Sequence, residues 1–205
     1  MRLHFVRHGE STANLLGVFS NGSGEHPLTE KGVEQARTLA RDLSVLQVSR
    51  INTSPVLRAV QTARILSESL DAPLEISEAL REWSVGVYEG TTDPAGWELH
   101  RRVQEDWFVH NRPDSRMPGG ESFLEIRERF VPFIDGLIQA DGPSDRTVVL
   151  VGHEGLYLAM LPIILKNVGY PQASRRGFPS GSCVIAETRT DGLHCLSWCG
   201  ESVEG

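Results

Sequence analysis

The sequence predicts an α/β fold, a three-layer α/β/α sandwich with a mostly parallel central sheet. Short apolar runs typical of strands alternate along the chain with longer segments whose apolar residues recur every three or four positions, as in helices. The most apolar run, at 147–151, contains no polar alternation, which suits a central strand covered on both faces. Strands that alternate with helices favour this layered architecture.

The N-terminal half is predicted to begin with a strand at 3–6 and a helix at 30–43. The helix is amphipathic, because its apolar residues recur at spacings of three and four. Thr29 precedes it as a suitable N-cap, and Glu30 suits the positive end of the helix dipole. A second strand is predicted over 49–53.

The next helix is predicted to begin directly after this second strand. Ser54 is a good N-cap, and Pro55 is favoured at the first helical position. The apolar face of this helix consists of Ala59, Ala63, Leu66 and Leu70. The later segment 83–120 is rich in Trp, Gly, Pro and charged residues, and no regular element is predicted there.

The C-terminal half continues the alternation of helices and strands. Apolar residues at spacings of three and four predict a helix over 121–140, which precedes the central strand at 147–151. Another helix is predicted after His153. The last two strands are predicted at 183–188 and 193–198.

Composition restricts the classes of function. With 205 residues, 40% hydrophobic and 23% charged, the chain is typical of a soluble globular protein, and we expect one domain over 1–205. Its net charge of −7 argues against a nucleic-acid partner, because such binding depends on many cations. No apolar run reaches the ~20 residues of a membrane helix, and no signal peptide is visible. We therefore expect a cytoplasmic protein without a membrane partner; no pattern indicates an oligomeric state.

Two histidines, each followed closely by glycine, lie just past the ends of predicted strands. His8 follows the first strand within Arg7-His8-Gly9, and His153 follows the central strand within Gly152-His153-Glu154-Gly155. In an open α/β sheet the ligand lies beyond the carboxyl ends of adjacent strands, so we expect both segments at one site. A histidine at such a site can be a nucleophile, a proton carrier or a metal ligand.

Two arginines favour phosphate as the ligand of this site. Arg7 adjoins His8, and Arg58 is expected in the first turn of a helix. A guanidinium binds phosphate through two parallel hydrogen bonds, and a helix N-terminus favours anions. Together with His153, these residues predict a pocket for one phosphoryl group, with a histidine placed for in-line attack.

A metal site is the less favoured interpretation. His153-Glu154-Gly155 lacks the second histidine of a His-Glu-x-x-His motif, and the arginine beside His8 would repel a cation. Cys195 and Cys199 lack a second pair of ligands, and with Cys183 they are expected to be reduced thiols. No metal and no other cofactor is therefore predicted. The remaining histidines are expected to be surface or structural residues: His4, His26, His100, His110 and His194.

Seven short motifs follow one another from residue 3 to about residue 160. They are Arg7-His8-Gly9-Glu10-Ser11 with Asn14, Phe19-Ser20, Leu28-Thr29-x-x-Gly32-x-x-Gln35-Ala36, Ser54-Pro55-x-x-Arg58-Ala59-x-x-Thr62-Ala63, Leu80-x-Glu82-x-x-x-Gly86-x-x-Glu89-Gly90, Pro118-Gly119-Gly120-Glu121-Ser122 and Val151-Gly152-His153-Glu154-Gly155. In these motifs and in their order, the chain resembles the histidine phosphatase superfamily, in its phosphoglycerate mutase-like branch. The resemblance implies a single catalytic domain of this type over 1–205.

The resemblance also implies a covalent mechanism. His8 would be the nucleophile that forms a phosphohistidine, and it must attack as neutral imidazole. Glu82 would protonate the leaving oxygen and then take a proton from water, which requires a carboxyl that stays protonated near neutral pH. The transferring phosphoryl group would be bound and its charge stabilised by Arg7, Arg58 and His153.

Two sets of residues concern the rest of the substrate. Those that match substrate-binding positions of the family, or that follow His153 in its motif, are Asn14, Ser20, Glu154 and Gly155. Those that could determine specificity, without an assigned position, are Phe19, Trp83, Trp97, Trp107, Arg112, Arg116, Arg175 and Arg176.

Two departures from the mutases favour hydrolysis. Ser20 is followed by Asn21-Gly22 and not by Gly-Trp, and the segment between Glu82 and His153 looks shorter than the mutases' substrate-capping insertion. Without that cap, water could reach the phosphohistidine. The predicted function is therefore metal-independent hydrolysis of a phosphomonoester on a small phosphorylated metabolite. A phosphoglycerate mutase is the alternative, and a non-catalytic phosphate-binding protein belongs to a third class.

Overall fold

A computed structural model describes residues 1–22, 25–141 and 145–203 of the chain. Its strands are β1 Arg2–Arg7, β2 Val48–Thr53, β3 Leu74–Ile76, β4 Thr147–Gly152, β5 Cys183–Arg189, β6 Gly192–Trp198 and β7 Glu201–Ser202. They form a seven-stranded sheet in the order β3-β2-β4-β1-β5-β6-β7. The four strands from β3 to β1 are parallel, and β5, β6 and β7 extend the sheet in antiparallel pairs.

Helices cover both faces of this sheet. They are α1 Thr12–Leu16, α2 Glu30–Leu43, α3 Leu57–Leu70, α4 Pro94–Phe108, α5 Phe123–Asp141, α6 Glu154–Ile164 and α7 Tyr170–Arg176. Short 3₁₀ turns occur at Glu78–Leu80 and Gly86–Tyr88. The predicted α/β sandwich, with a central sheet that is parallel in its core, is confirmed.

Two hydrophobic clusters pack against opposite faces of the sheet, because side chains alternate along each strand. On one face, Leu150 of β4 packs in a cluster with residues of α5 and α6, among them Phe130 and Met160. On the other face, Val149 packs in a cluster with residues of α2 and α3, among them Leu39 and Ala63. Every residue of β4 is buried, as expected for a central strand covered by helices on both sides.

The predicted starts of α2 and α3 have different outcomes. Thr29 caps α2 as expected, since its Oγ1 accepts a hydrogen bond from the Gly32 N–H at 3.0 Å. The prediction that Ser54 caps α3 and that Pro55 is its first residue is wrong, because the helix begins at Leu57. The Ser54 hydroxyl instead hydrogen-bonds to His153 (Nε2–Oγ 2.8 Å).

The segment 83–120 folds against the body of the protein. It contains the turn Gly86–Tyr88 and helix α4, neither of which was predicted. Gly86 has a φ of 59°, and a Cβ there would overlap the Pro118 carbonyl, so glycine fits this contact and larger residues do not. The Pro118-Gly119-Gly120 motif thus packs directly on the backbone that follows Glu82.

The structure contains no membrane-spanning element among the helices of the described ranges. None of these helices combines the length and the apolar composition that a bilayer requires.

Candidate active site

The two motif histidines lie side by side at the carboxyl edge of the sheet. Strands β1 and β4 are parallel neighbours, and their register pairs Arg7 with Gly152. The residues that follow, His8 and His153, therefore leave the sheet at the same level. Their ring centroids are 5.1 Å apart, and both side chains are buried.

The hydrogen bonds of His8 fix its tautomer. The Nε2 atom accepts a hydrogen bond from Arg58 Nε at 2.9 Å, and because guanidinium can only donate, Nε2 carries no proton. The proton lies on Nδ1, which donates to the Gly9 carbonyl at 2.6 Å. Burial, and then the charges of Arg58 and Arg7, hold the pKa of His8 well below 6.5. Neutral imidazole with a lone pair on Nε2 is the form that can attack phosphorus.

Arg58 connects three parts of the site from the first turn of α3. Besides its bond to His8, it donates from Nη1 to the Ser20 carbonyl at 2.6 Å and from Nη2 to His153 Nδ1 at 3.2 Å. Burial lowers the pKa of Arg58 to about 10, so it keeps its positive charge at neutral pH. Its charge therefore lies directly beside the His8 lone pair, where a phosphoryl group would enter.

Ser54 orients the ring of His153 through a hydrogen bond. Since Nδ1 of His153 accepts from Arg58, the proton lies on Nε2, which donates to Ser54 Oγ at 2.8 Å. Burial and the charge of Arg58 hold the pKa of His153 well below 6.5. Apart from its place in a motif, Ser54 was assigned only a capping role, so its hydrogen bond to His153 is a finding of the structure.

Arg7 approaches the site from the end of β1. Its Nη1 donates to the Phe178 carbonyl at 2.6 Å and pairs with Glu154 at 2.8 Å. Its Nε is buried and has no hydrogen-bond partner among the described residues. A buried donor without a partner is costly to the folded state.

Glu82 is buried in the wall of the same pocket. Its carboxylate accepts hydrogen bonds from the Trp83 N–H at 3.0 Å and the Gly155 N–H at 2.9 Å. Burial raises the pKa of Glu82 above its ordinary 4.5, although these hydrogen bonds and the charge of Arg58 oppose the shift. A carboxyl group that resists ionisation is suited to donate a proton.

Gly155 is required by this arrangement. A Cβ at position 155 would lie 2.7 Å from Trp83 Nε1 and 2.8 Å from Glu82 Oε1. The missing side chain lets the backbone of α6 approach the carboxylate closely enough to donate to it.

The loop that carries Glu82 is held by an ion pair behind the pocket. Glu121 accepts a hydrogen bond from the Ser84 N–H at 2.7 Å and pairs with Arg129 at 2.8 Å. Arg129 also donates to the Ala79 carbonyl at 2.9 Å. The glutamate of the Pro-Gly-Gly-Glu-Ser motif thus holds both ends of the loop around Glu82.

A cavity of about 330 Å³ brings these groups together. Eight of the nine predicted site residues line it: Arg7, His8, Asn14, Ser20, Arg58, Glu82, Glu154 and Gly155. His153 lies behind Arg58. Asn14 also closes the first turn of α1, since its Oδ1 accepts from the Ser11 N–H at 2.9 Å. In the described part of the chain, no three His, Cys, Asp or Glu side chains are grouped as a metal site would require.

Comparison with known proteins identifies the family. The model of the histidine phosphatase superfamily (branch 1) matches residues 3–200. The chain belongs to this superfamily. It is 33% identical over 168 residues to a putative phosphoserine phosphatase 2 of Hydrogenobacter thermophilus, covering 82% of this chain and 80% of that protein. It is 29% identical over 192 residues to a probable phosphoglycerate mutase of Cronobacter sakazakii, covering 91% and 83%.

A solved structure shares the fold of this histidine phosphatase superfamily member. It is a mycobacterial glucosyl-3-phosphoglycerate phosphatase in complex with VO₃, 26% identical, with a TM-score of 0.81 over 96% of this chain and 98% of that one. The predictions of family, of enzyme class and of a phosphatase with a mutase as the alternative are confirmed at this level.

The remaining wall of the pocket includes Phe19 and Trp97, two of the candidates for specificity, and residues of α4, a helix that was not predicted. Phe19 and Trp97 stack with ring centroids 3.8 Å apart, and both line the pocket. His100, expected to be a surface or structural histidine, lines the pocket as well, and its ring stacks on that of Trp83 with centroids 4.4 Å apart. His26 approaches the site through a hydrogen bond between its Nδ1 and Ser20 Oγ at 2.9 Å. Neither histidine lies in a motif that would have indicated this.

The other candidates for specificity do not line the pocket. Trp83 and Trp107 are buried in the core beside it. Arg112 and Arg116 pair on the surface with carboxylates of Asp106 and Glu125. Arg175 and Arg176 lie in the last turn of α7. Of the arginines predicted from sequence, Arg7 and Arg58 alone line the pocket.

Proposed function

We propose that this chain is a metal-independent phosphomonoesterase that acts through a phosphohistidine on His8. The observation that carries the proposal is the state of the His8 ring. The ring is held neutral, with its lone pair on Nε2. The same pocket contains the positive charge of Arg58 and the carboxyl group of Glu82, whose pKa is raised. Nucleophile, charge stabiliser and proton donor are the three parts that this chemistry needs.

In the first step, His8 Nε2 attacks the phosphorus of the bound monoester. A P–N bond forms while the P–O bond to the alcohol breaks, and Glu82 gives its proton to the departing oxygen. Arg58 would exchange its bond to Nε2 for bonds to phosphoryl oxygens, and Arg7, which lines the same pocket, would add its positive charge. These cations stabilise the charge that spreads over the oxygens, the part that a metal ion has in other phosphotransferases.

In the second step, water attacks the phosphohistidine. The Glu82 carboxylate takes a proton from the water, inorganic phosphate leaves, and His8 returns to its neutral form. Helix α4 forms one wall of the pocket through Trp97, His100 and Gln104, so the segment 83–120 contributes to the pocket although no mutase-like cap is expected there. Return of the phosphoryl group to a second hydroxyl of the substrate is the mutase alternative.

Trapping of the intermediate tests the nucleophile. The wild type should form an alkali-stable phosphoenzyme from a labelled phosphomonoester, and His8→Ala should form none and lose at least ~10³ of kcat. The matched control is His110→Ala, which removes an exposed histidine outside the pocket and should leave both readouts unchanged. A phosphoenzyme or near-normal turnover in His8→Ala would refute the role of His8.

The products separate hydrolase from mutase. Whatever 3-phosphoglycerate is turned over in the presence of a catalytic amount of 2,3-bisphosphoglycerate should give inorganic phosphate and little isomer. Efficient isomer formation without phosphate would establish the mutase. A small phosphorylated metabolite as substrate, a cytoplasmic location and the lack of a nucleic-acid partner remain predictions, as does the single catalytic domain over 1–205.

A further inference from the structure

The pocket has more room than a phosphoryl group requires, and its additional wall is uncharged. Lining residues outside the predicted catalytic and substrate-binding set include Val18, Phe19, Trp97, His100, Gln104 and Leu158. We call these six residues the neutral wall. Burial lowers the pKa of His100 to about 4, so its ring carries no charge at neutral pH.

The positive charges of the pocket are already committed to the phosphoryl group. Among the described residues that line it, Arg7 and Arg58 are the only cations. Arg58 contacts the nucleophile, and Arg7 shares its charge with Glu154 at 2.8 Å. A second anionic group on the substrate would find no further cation and would lie near the Glu154 carboxylate.

The neutral wall suits a different kind of group. An unpaired carboxylate loses hydration on entering such a pocket without gaining a charge partner, which is unfavourable. A flat apolar or aromatic face gains contact with the stacked rings of Phe19 and Trp97. A hydroxyl group can be satisfied by the side-chain amide of Gln104, which both donates and accepts hydrogen bonds.

We infer that the alcohol portion of the substrate carries no negative charge and binds against the neutral wall. The substrate class is thus a phosphomonoester of an uncharged alcohol and not a phosphorylated carboxylic acid. This inference rests on the proposed phosphomonoesterase function and specifies its substrate.

A matched pair of substrates tests the inference. Glycerol 3-phosphate and 3-phosphoglycerate share the phosphate and the carbon chain, and they differ in a hydroxymethyl group against a carboxylate. At pH 7.5, kcat/KM of the wild type should be at least about tenfold higher for glycerol 3-phosphate. Phenyl phosphate and 4-carboxyphenyl phosphate form a second pair, in which the phenolate of the carboxylated member is the better leaving group. A preference for phenyl phosphate would therefore not come from leaving-group chemistry.

A charge introduced into the neutral wall tests its position. Gln104→Arg should reduce the preference for glycerol 3-phosphate by about fivefold or more, because it supplies a cation to the carboxylate. Gln139→Arg makes the same substitution on the exposed surface of α5, away from the pocket, and should leave the preference unchanged. An unchanged preference in a folded Gln104→Arg protein would show that the alcohol portion of the substrate does not bind against this wall.

The outcomes distinguish the inference from the function on which it rests. Phosphate release with equal or better kcat/KM for 3-phosphoglycerate overturns the inference and leaves the phosphomonoesterase function standing. Release from none of the four substrates overturns the proposed function, and the inference with it.

Discussion

Burial shifts the pKa values of His8 and Glu82 in opposite directions within one pocket. Removing water disfavours the charged form of each group, which lowers the pKa of the imidazole and raises that of the carboxyl. Arg58 lowers both values, so it assists the histidine and opposes the glutamic acid. Both net shifts favour the uncharged forms, a neutral base and a protonated acid, and these are the states that attack and departure of the leaving group require.

Glu82→Gln tests the acid. Loss of the proton donor should reduce phosphorylation by glycerol 3-phosphate by roughly 10²–10⁴, since an alkoxide leaves poorly without a proton. The loss should be much smaller with 4-nitrophenyl phosphate, whose phenolate leaves unaided. Phosphoenzyme formation is followed by rapid quench, because slower hydrolysis of the intermediate would hide the difference in the steady state. Glu128→Gln, an exposed carboxylate on α5, is the control. Equal losses for both substrates would exclude a general-acid role.

The same variant gives a pH signature. In the wild type, the protonated form of Glu82 is lost as pH rises through its raised pKa, so kcat/KM for an alkyl phosphate should fall on the alkaline side. Neutral His8 persists as pH falls, down to its lowered pKa, so the acidic limb should lie below 6.5. In Glu82→Gln the alkaline limb contributed by Glu82 should disappear and the acidic limb should remain.

At the scale of elements, a helix N-terminus positions the acid. The first turn of α6 donates the Gly155 N–H to Glu82, and the start of a helix favours negative charge. This hydrogen bond lowers the pKa of Glu82 and so opposes part of the increase caused by burial. It also fixes the position of the carboxyl group. The loop that carries Glu82 has little regular structure of its own and takes its position from α6 and from Glu121.

Gly155→Ala should displace this contact. The added Cβ would meet Trp83 and Glu82 at under 3 Å, so kcat for an alkyl phosphate should fall by about 10–100-fold while the phosphate site is retained. Gly136→Ala is the matched control, since a Cβ on this exposed residue of α5 meets no atom within 4 Å. It should keep full activity and add about 0.5–1 kcal/mol of stability, measured by chemical unfolding, because alanine favours helix. Full activity of Gly155→Ala would mean that the close approach has no catalytic part.

At the scale of the whole molecule, the fold concentrates positive charge where the overall charge is negative. The chain carries a net charge of −7, yet the ends of β1 and α3 place Arg7 and Arg58 in one pocket. The negative overall charge, on which the expectation of no nucleic-acid partner rests, therefore does not argue against a small anion as ligand. The order of the strands brings these arginines together, because β4 pairs with β1 on one side and, on the other, with β2, the strand that precedes α3.

Oxyanion binding should be visible in global stability. Orthovanadate at about 100 times its Kd should add about 2.7 kcal/mol, which raises Tm by about 5–10 °C for a chain of this size. The shift should be lost in Arg58→Met and retained in Arg64→Met, which changes an exposed arginine of the same helix.

The activity should be retained in the presence of EDTA, because the arginines stabilise the negative charge of the phosphoryl group. Loss of activity on chelation and recovery with zinc or magnesium would instead establish a metal requirement.

The sequence alone determined the alternation of strands and helices and the central position of β4. It also determined that the motif residues after β1 and β4 lie together at one edge of the sheet. These properties follow from local periodicity and from the rule that ligands lie beyond the carboxyl ends of parallel strands. The start of α2 was also readable, because a cap depends on residues a few positions apart. The same local rule failed at α3, where the predicted cap instead bonds to a partner 99 residues away.

Only the tertiary structure decided which residues complete the pocket. Ser54 belongs to a motif, but its bond to His153, 99 residues away, is visible only in the fold. His26 and His100 lie outside the motifs, and their contacts with Ser20 and Trp83 depend on packing and not on a local pattern. The close approach of Gly155 to Glu82 likewise depends on how a loop packs on α6. Local residue patterns encode which face of an element is buried, whereas contacts between elements are set by strand order and packing, and these decide the chemistry of the wall that faces the substrate.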